Sequence, residues 1–264
     1  RCGSRNESFP MMTSPKNMLW IHGWAANSHV FTPLRDDMPQ SWQIRTPDLP
    51  GHGAAPDNGV FDIIAIADAL AAEIDEQQPA DVLGWSLGGL IAMQAALLAP
   101  ERVARLILVS STPSFAQREG WTSAQPVSVL TGFTEAVAND PSTTLQRFVA
   151  LFNQGDTKAR AIGREINREI LSSSPAPIPT LLNGLDWLRN IDLREQVSAV
   201  RCPVLLIHGE NDPLMPLPAA RWLAEHLPHA QLKVFSGVAH APFLADPEQF
   251  VSLVRRFIHA STID

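Results

Sequence analysis

The sequence predicts an α/β fold in which a mostly parallel central sheet is flanked by helices and carries an inserted helical cap. Short apolar runs alternate with longer segments of helical period, which is the pattern of parallel strands joined through crossover helices. The 264 residues, 45% of them apolar, suffice for one large core. Residues 113–192 hold helical stretches and several prolines but no convincing strand.

Six short apolar runs are predicted as the strands of the sheet. In chain order they are residues 18–22, 43–46, 81–85, 105–110, 203–208 and 231–235. Four longer segments carry apolar residues at three- and four-residue spacing, and proline or acidic residues stand at several of their starts. We predict that these segments form helices on the sheet, and they are residues 62–76, 87–99, 216–227 and 247–259.

Residues 113–192 interrupt the alternation between two core strands. About eighty residues without a strand are too many for a structureless loop, so we predict a helical cap inserted into the core. The core is then formed by residues 13–112 and 193–264. Residues 1–12 are mostly polar and lack the apolar stretch of a signal peptide, so we expect a tag remnant or a disordered segment outside the fold.

Charge and composition exclude several classes of protein. The 20 Lys and Arg against 27 Asp and Glu give a net charge of −7, which argues against nucleic acid or anionic lipid as a partner. Cys2 and Cys202 stand outside any spacing typical of a metal or redox site, so we expect no bound metal, no disulfide framework and a cytoplasmic location. The longest mostly apolar run, residues 90–99, is far shorter than the roughly 20 residues of a membrane span.

The strongest catalytic signal is a GxSxG sequence at residues 84–88, between the predicted strand 81–85 and the predicted helix 87–99. In this strand–turn–helix context the central residue, Ser86, takes a strained backbone conformation that exposes its hydroxyl. The N-terminus of the following helix favours developing negative charge. An isolated GxSxG is as often a glycine-rich turn with an incidental serine, but this context predicts that Ser86 is a nucleophile.

A serine nucleophile needs a general base and a third group that orients the base. His240 is the predicted base, because it lies in the loop after the last strand, where open α/β sheets place their chemistry. Asp212 follows the strand 203–208 and gives the chain order Ser, Asp, His that is typical of this architecture. Glu210, in the same loop, remains a rival for the role of the acid.

Two backbone N–H groups are predicted to stabilise the negative charge that develops on a substrate carbonyl oxygen. Leu87 directly follows the nucleophile, and Trp24 stands in the loop after the first strand. The indole rings of Trp24 and Trp85 are candidates for the walls of an acyl pocket, although a buried indole is by default a core residue.

Together these segments resemble the α/β-hydrolase family, over about residues 18–258. The resemblance rests on the sequences His-Gly-Trp at 22–24, Gly-Trp-Ser-Leu-Gly-Gly-Leu at 84–90 and Ala-His-Ala-Pro-Phe at 239–243. It extends into the predicted cap at residues 147–151, 159–160 and 182–185, where the chain is similar to esterases of biotin synthesis. This resemblance implies a serine carboxylesterase that needs no cofactor, and we expect it to be a monomer.

The resemblance also implies a substrate, the methyl ester of a pimeloyl chain carried by an acyl-carrier protein. The residues that it implies in contact with the substrate are Trp24, Leu87, Phe148, Phe152 and His240. Arg147, Arg160 and Arg164 are implied to dock the acidic carrier, although Thr143 stands where the family has a further arginine. A solvated helix face is the alternative for these arginines, since glutamates at positions 165 and 169 lie within pairing distance along a helix.

Two other activities of the same fold stay open at this point. One is a carboxylesterase of broader specificity that acts on short-chain esters without a carrier protein, and the other is a carbon–carbon bond hydrolase. A binding protein that keeps the fold without turnover is a third possibility, which the complete set of Ser86, Asp212 and His240 disfavours.

Overall fold

The computed structural model describes residues 16–57, 59, 62–169 and 175–260, and for residue 169 the backbone alone. Six strands form one parallel sheet in the order β2-β1-β3-β4-β5-β6. Their bounds are β1 Lys16–Ile21, β2 Trp42–Arg45, β3 Ala80–Trp85, β4 Val103–Val109, β5 Val204–Gly209 and β6 Ala230–Phe235. All six predicted strands are present, each within about two residues of its predicted bounds. Residues 1–12, which are predicted to lie outside the fold, are not among the described residues.

The helices that follow the strands agree with the predicted pattern. Those of the core are α1 Thr32–Arg35, α2 Ile63–Ala72, α3 Leu87–Leu98, α8 Leu217–His226, α9 Pro242–Ala245 and α10 Pro247–Ala260. Helix α2 ends four residues before the predicted position 76. Its last carbonyls accept hydrogen bonds from the Arg102 guanidinium, at 3.3 Å from Ala71 and 3.1 Å from Ala72, so a side chain distant in sequence caps this helix end.

The core is densest around β3, α3 and β5. Every residue of β3 and of β5 is buried, and ten consecutive residues of α3 are buried as well. This burial explains why α3 is apolar around its whole circumference instead of along one stripe. The edge strands β2 and β6 are only partly buried.

Four α-helices of the described residues lie between β4 and β5 in the chain, in the region predicted to be a cap. They are α4 Val127–Asn139, α5 Pro141–Phe152, α6 Ala159–Glu169 and α7 Ile178–Asn190. Helix α4 contacts α7 and α5, and α5 contacts α6. Within the described part of residues 113–192 there is no strand, only isolated bridges between positions 116 and 125 and between 118 and 121. No described helix combines the length and the apolar character that crossing a bilayer requires.

The sheet topology brings several loops to one edge. Strand order reverses at β1, since β2 pairs with one side of it and β3 with the other. Open α/β sheets bind ligands at the carboxyl ends of the strands next to such a reversal. The loops that follow β1, β3, β5 and β6 carry Trp24, Ser86, Asp212 and His240 respectively.

Candidate active site

Ser86 occupies a strained turn between β3 and α3. Its backbone angles are φ 57° and ψ −119°, a conformation that L-residues rarely adopt. The turn is possible because glycines, which have no side chain, stand two positions before and two positions after Ser86. A Cβ at Gly84 would overlap the carbonyl of Gly88, and a Cβ at Gly88 would overlap the carbonyl of Ile21. The two glycines therefore let α3 pack directly against β1 and β3 and leave the Ser86 side chain on the cavity wall.

His240 is held by Asp212. The Nδ1 of His240 donates a hydrogen bond to Oδ2 of Asp212 at 2.7 Å, and both side chains are almost completely buried. The other carboxylate oxygen, Oδ1, accepts hydrogen bonds of 2.9 Å from the backbone N–H groups of Leu214 and Met215. The carboxylate is thus fixed by three donors, and it fixes the imidazole with Nδ1 as the donor and Nε2 as the basic nitrogen.

The charge state of Asp212 follows from these contacts. Burial raises the pKa of its carboxyl, but the attraction of His240 and the hydrogen bonds outweigh burial, so the pKa lies below its ordinary value. His208 lies nearby, with Nε2 at 3.7 Å from Oδ2 of Asp212 and at 2.6 Å from the carbonyl oxygen of Met215. Burial lowers the pKa of His208, so this neutral ring donates to Met215 and supports the loop that carries Asp212.

Glu210, the rival acid, lies elsewhere. It is exposed, and its Oε2 accepts hydrogen bonds from the Ser236 hydroxyl at 2.7 Å and from the Gly237 N–H at 3.0 Å. The structure therefore brings Asp212, and not Glu210, to His240.

Asp156 is a buried carboxylate that the sequence interpretation missed. Its Oδ2 accepts a hydrogen bond of 2.9 Å from the N–H of Ala239, next to His240, and its Oδ1 accepts one from the N–H of Lys158. The same loop between α5 and α6 also contacts the histidine loop through Thr157, whose N–H donates to the carbonyl of Gly237 at 3.1 Å. Asp156 and Ala239 lie 83 positions apart, so no local pattern could have revealed the pair.

The two residues whose backbone amides are predicted to stabilise a substrate oxygen both lie beside Ser86. Gly23 packs against the nucleophile, since a Cβ there would lie 3.1 Å from the Cβ of Ser86, and Trp24 follows it directly. Leu87 is the first residue of α3, where N–H groups lack an acceptor within the helix. Among the described residues no group accepts a hydrogen bond from the backbone N–H of Trp24 or Leu87. Both amides are free to donate to a ligand.

Ser86 lines two adjoining cavities, which share Trp24, Ser86 and Phe148 in their linings and which we call arms. We call the first the histidine arm; besides Ser86, its lining includes Leu145, Phe148, Val149, Phe152, Ile166 and His240. We call the second the long arm; its lining includes Phe115, Gln125, Val129, Leu130, Phe133, Phe148, Leu151, Leu185, Leu188 and Leu214. Trp24 lines both arms, whereas Trp85 lines the histidine arm and donates its indole N–H to the His240 carbonyl at 2.9 Å.

Phe148 and Phe152, predicted from the resemblance, both face this cavity. The ring centroid of Phe148 lies 5.1 Å from that of Trp24 in an edge-to-face arrangement. Trp24 in turn donates its indole N–H to the carbonyl of Leu181 in α7 at 2.9 Å. The loop after β1 is therefore joined to helices α5 and α7 by one indole ring. The remaining members of the long arm come from the loop after β4, from helices α4, α5 and α7, and from the loop after β5, and the sequence interpretation did not identify them.

The three predicted docking arginines are exposed on neighbouring helices. Arg147 lies on α5, and Arg160 and Arg164 lie on α6. No carboxylate of the described residues is within 4.0 Å of their guanidinium groups, whereas Arg168 forms an ion pair with Glu165. The alternative of a self-neutralised helix face therefore applies to Arg168, a fourth arginine of this surface.

His22 is buried beside the first loop. Its Nε2 accepts a hydrogen bond of 2.9 Å from the N–H of Leu49, and its Nδ1 is 2.9 Å from the carbonyl oxygen of Gly23. Burial, with a smaller contribution from His52, lowers the pKa of His22 to about 3, so the ring is neutral. The described residues contain no cluster of three or more His, Cys, Asp or Glu side chains that could hold a metal ion.

This arrangement is suited to acyl transfer. It combines a hydroxyl on a strained turn, an imidazole oriented by a buried carboxylate and two free amide donors, which are the parts that form and cleave an acyl-enzyme. Residues 16–247 match the family described as alpha/beta hydrolase fold.

The named relatives are esterases, and ester hydrolysis is an acyl-transfer reaction of the kind that this geometry suits. The chain is 40% identical to the pimeloyl-[acyl-carrier protein] methyl ester esterase of Nitrosomonas europaea, over 89% of this chain and 93% of that protein. It is also 40% identical to the esterase of the same name from Aromatoleum aromaticum, over 90% of this chain and 96% of that one. The structure of an esterase from Exiguobacterium antarcticum superimposes with a TM-score of 0.85 at 22% identity, covering 93% of this chain and 92% of that one, which shows the shared fold. The chain belongs to the α/β-hydrolase family, in the branch that contains the pimeloyl-[acyl-carrier protein] methyl ester esterases.

Proposed function

We propose that this protein hydrolyses the methyl ester of pimeloyl-acyl-carrier protein to pimeloyl-acyl-carrier protein and methanol, a step of biotin biosynthesis. The single observation that carries the esterase chemistry is the 2.7 Å hydrogen bond between His240 and Asp212, in a cavity whose wall includes Ser86. The choice of substrate rests on relatives of that name at 36–40% identity over most of the chain.

In the first half of the reaction, the Ser86 oxygen attacks the ester carbonyl carbon while Nε2 of His240 takes the hydroxyl proton. The carbonyl oxygen becomes negatively charged and accepts hydrogen bonds from the N–H groups of Trp24 and Leu87. The tetrahedral intermediate then collapses, the bond between carbon and the methoxy oxygen breaks, and His240 gives its proton to that oxygen. Methanol leaves, and the acyl group remains bound to Ser86 as an ester.

In the second half, a water molecule attacks the acyl carbon and His240 takes one of its protons. The bond to the Ser86 oxygen breaks, His240 returns the proton to that oxygen, and the free carboxylic acid departs and ionises. Throughout, Asp212 stays ionised, which keeps the imidazole in the productive tautomer and stabilises the imidazolium. No cofactor takes part in the proposed mechanism.

We further propose that residues 113–192 act as a cap that docks the carrier protein through Arg147, Arg160 and Arg164. Their exposure on neighbouring helices supports this role, because exposed guanidinium groups are available to an acidic partner. Thr143 supplies no charge at the position of a further arginine, so these three residues carry the docking. We place the reaction in the cytoplasm and expect a monomer, which size-exclusion chromatography with light scattering tests.

The decisive experiment compares the carrier-linked methyl ester with a free short-chain methyl ester. Carrier docking by arginines predicts that kcat/KM for the carrier-linked ester falls steeply as salt rises, whereas the free ester is nearly insensitive. Replacing Arg147, Arg160 and Arg164 by Ala should raise KM for the carrier-linked ester only. The matched control replaces the exposed Arg255 and Arg256 of α10 by Ala and should change neither substrate.

Two outcomes contradict the proposal. Equal kcat/KM for the carrier-linked and the free ester would favour the short-chain carboxylesterase, and turnover of ring-cleavage diketones instead of esters would favour the carbon–carbon bond hydrolase. Complementation of a biotin auxotroph that lacks this esterase adds a cellular readout, in which the wild type restores growth and Ser86→Ala does not. A fluorophosphonate probe should label Ser86 in the wild type, and absence of that adduct would exclude the serine mechanism.

A further inference from the structure

The two arms of the cavity differ in their relation to the general base. His240 lines the histidine arm and is absent from the lining of the long arm, while Ser86 lines both. An ester has two sides that extend from the reacting carbonyl, the acyl chain and the alcohol group. A nucleophile at the junction of two arms therefore has a separate arm available for each side.

Proton transfer decides which side lies in which arm. His240 must protonate the departing alkoxide, and a general acid acts within hydrogen-bond reach of its target. The alcohol oxygen is therefore next to His240, and the group attached to it extends into the arm that His240 lines.

The size of the histidine arm limits the alcohol that it can hold. The arm has about 20 Å³ of free space, whereas the long arm has about 70 Å³. Its walls are formed by buried side chains of helices α5 and α6, among them Leu145, Val149 and Ile166, each at most 6% exposed. The smaller arm therefore suits the smaller side of a methyl ester, which is its methoxy group.

The long arm has the properties that a carrier-linked acyl chain requires. It has about 70 Å³ of free space and is lined mainly by apolar side chains. Its one amide side chain, Gln125, donates two hydrogen bonds of 2.8 Å to the carbonyls of Pro213 and Leu214, which occupies the donor group within the protein. The arm therefore offers an apolar surface to methylene groups.

The long arm also reaches the protein surface. Two of its lining residues, Val129 of α4 and Leu151 of α5, are 56% and 43% exposed and mark its mouth. Arg147 precedes Leu151 by one helical turn and so lies on the same face of α5. A chain whose far end is attached to a protein must leave the cavity through such an opening, and a proposed docking arginine stands beside this one.

We propose that the histidine arm binds the alcohol group of the ester and selects methyl esters, whereas the long arm binds the acyl chain and emerges between Val129 and Leu151. This inference rests on the proposed ester hydrolysis. It adds the assignment of each side of the substrate to one arm and makes the walls of the histidine arm the determinants of alcohol size.

The test uses free esters in two series, one with a fixed acyl group and alcohols from methyl to butyl, the other with a methyl alcohol and acyl chains of increasing length. For the wild type we expect kcat/KM to fall about tenfold or more from the methyl to the butyl ester, because a rigid apolar pocket rejects added methylenes by such factors. Longer acyl chains should be accepted with a much smaller change.

Two variants with the same chemical change separate the arms. Leu145→Ala widens the histidine arm and Leu130→Ala widens the long arm, and the two leucines are buried to a similar degree, at 5% and 4% exposed. Leu145→Ala is expected to reduce the methyl preference by about tenfold and leave the acyl-length profile as it is. Leu130→Ala is expected to change the acyl-length profile only. An exchange of these two effects, or unchanged profiles in both folded variants, would overturn the assignment.

A surface pair keeps the test informative if either leucine variant fails to fold. Val129→Trp fills the proposed mouth, and Val127→Trp places the same side chain on α4 outside the arm lining, at a position that is 38% exposed. Val129→Trp should lower kcat/KM for long acyl chains about tenfold relative to the acetyl ester, and Val127→Trp should not. Equal acyl-length profiles in the two variants would contradict the proposed position of the mouth at Val129. Free esters involve no carrier protein. Equal kcat/KM for carrier-linked and free esters would therefore contradict the proposed function, whereas the profiles with free esters would still test the assignment of the arms.

Discussion

Replacing Asp212 by Asn tests the orientation of the base with almost no change in shape. Oδ1 of Asp212 accepts hydrogen bonds from two backbone N–H groups, those of Leu214 and Met215, both at 2.9 Å. An Asn side chain must keep its carbonyl oxygen at that position, because an NH2 group there would face two donors. The amide nitrogen is then forced towards Nδ1 of His240, where the carboxylate oxygen now accepts at 2.7 Å.

The expected loss of kcat follows from the change in the tautomer of His240. With an N–H donor opposite Nδ1, the imidazole must carry its proton on Nε2, and that nitrogen can no longer take the proton of Ser86. The loss of the productive tautomer in a Ser-His-Asp arrangement lowers kcat about ten-thousandfold, equivalent to roughly 5 kcal/mol of transition-state stabilisation. The KM should change little, since Asp212 is absent from the lining of either arm of the cavity.

The assay measures kcat and KM for a free methyl ester, with thermal unfolding of each variant as a check on folding. The matched control is Glu210→Gln, because Glu210 belongs to the same loop and bonds to Ser236 and Gly237 instead of His240. We expect that control to stay within about threefold of the wild-type kcat, as is usual for exposed polar contacts. A folded Asp212→Asn variant within tenfold of wild type, or a larger loss in Glu210→Gln, would refute the assignment of the acid.

Three further predictions concern the surroundings of the site. Asp156→Ala should lower kcat about tenfold with little change in KM, because the Ala239 N–H beside the base loses its acceptor; Asp156→Asn should lose less, and equal kinetics in all three proteins would contradict the positioning role. Gly88→Ala should reduce the free energy of unfolding in urea by about 3 kcal/mol through overlap with neighbouring backbone, whereas Gly132→Ala, in open space on α4, should be neutral or slightly stabilising. Acid should destabilise the fold: unfolded His22 takes up a proton near pH 6.5 and folded His22 only near pH 3, so it contributes a loss of about 2 kcal/mol between pH 6.5 and pH 5, and the pH slope should be shallower in His22→Gln.

Local sequence patterns predicted most of the architecture. The strands and the four main helices of the core follow from the spacing of apolar residues, since period and turn chemistry are properties of near neighbours in the chain. The predicted end of α2, at residue 76, is wrong. Residues 73–76 continue the helical pattern, but the Arg102 side chain satisfies the carbonyls at the helix end and the helix ends at Ala72.

The site was predictable where its chemistry depends on short-range geometry. The turn at Ser86 needs glycines two positions before and after it, and both are visible in the sequence. The general base also followed from its place after the last strand. The sequence favoured Asp212 as the acid through the chain order, but Glu210 stood two residues away in the same loop, and only the direction of each side chain excluded this rival.

The sequence by itself determined the α/β fold, the nucleophile turn and the place of the base, because each depends on residues that lie close together in the chain. Only the tertiary structure excluded Glu210 as the partner of His240, and only it decided that Asp156 supports the histidine loop and that Ser86 lines two adjoining cavity arms. These features depend on side chains from distant segments that meet only after the helices between β4 and β5 pack on the sheet. Many different sequences can form such packing. The pattern of apolar residues that drives it therefore does not specify which side chains will contact each other.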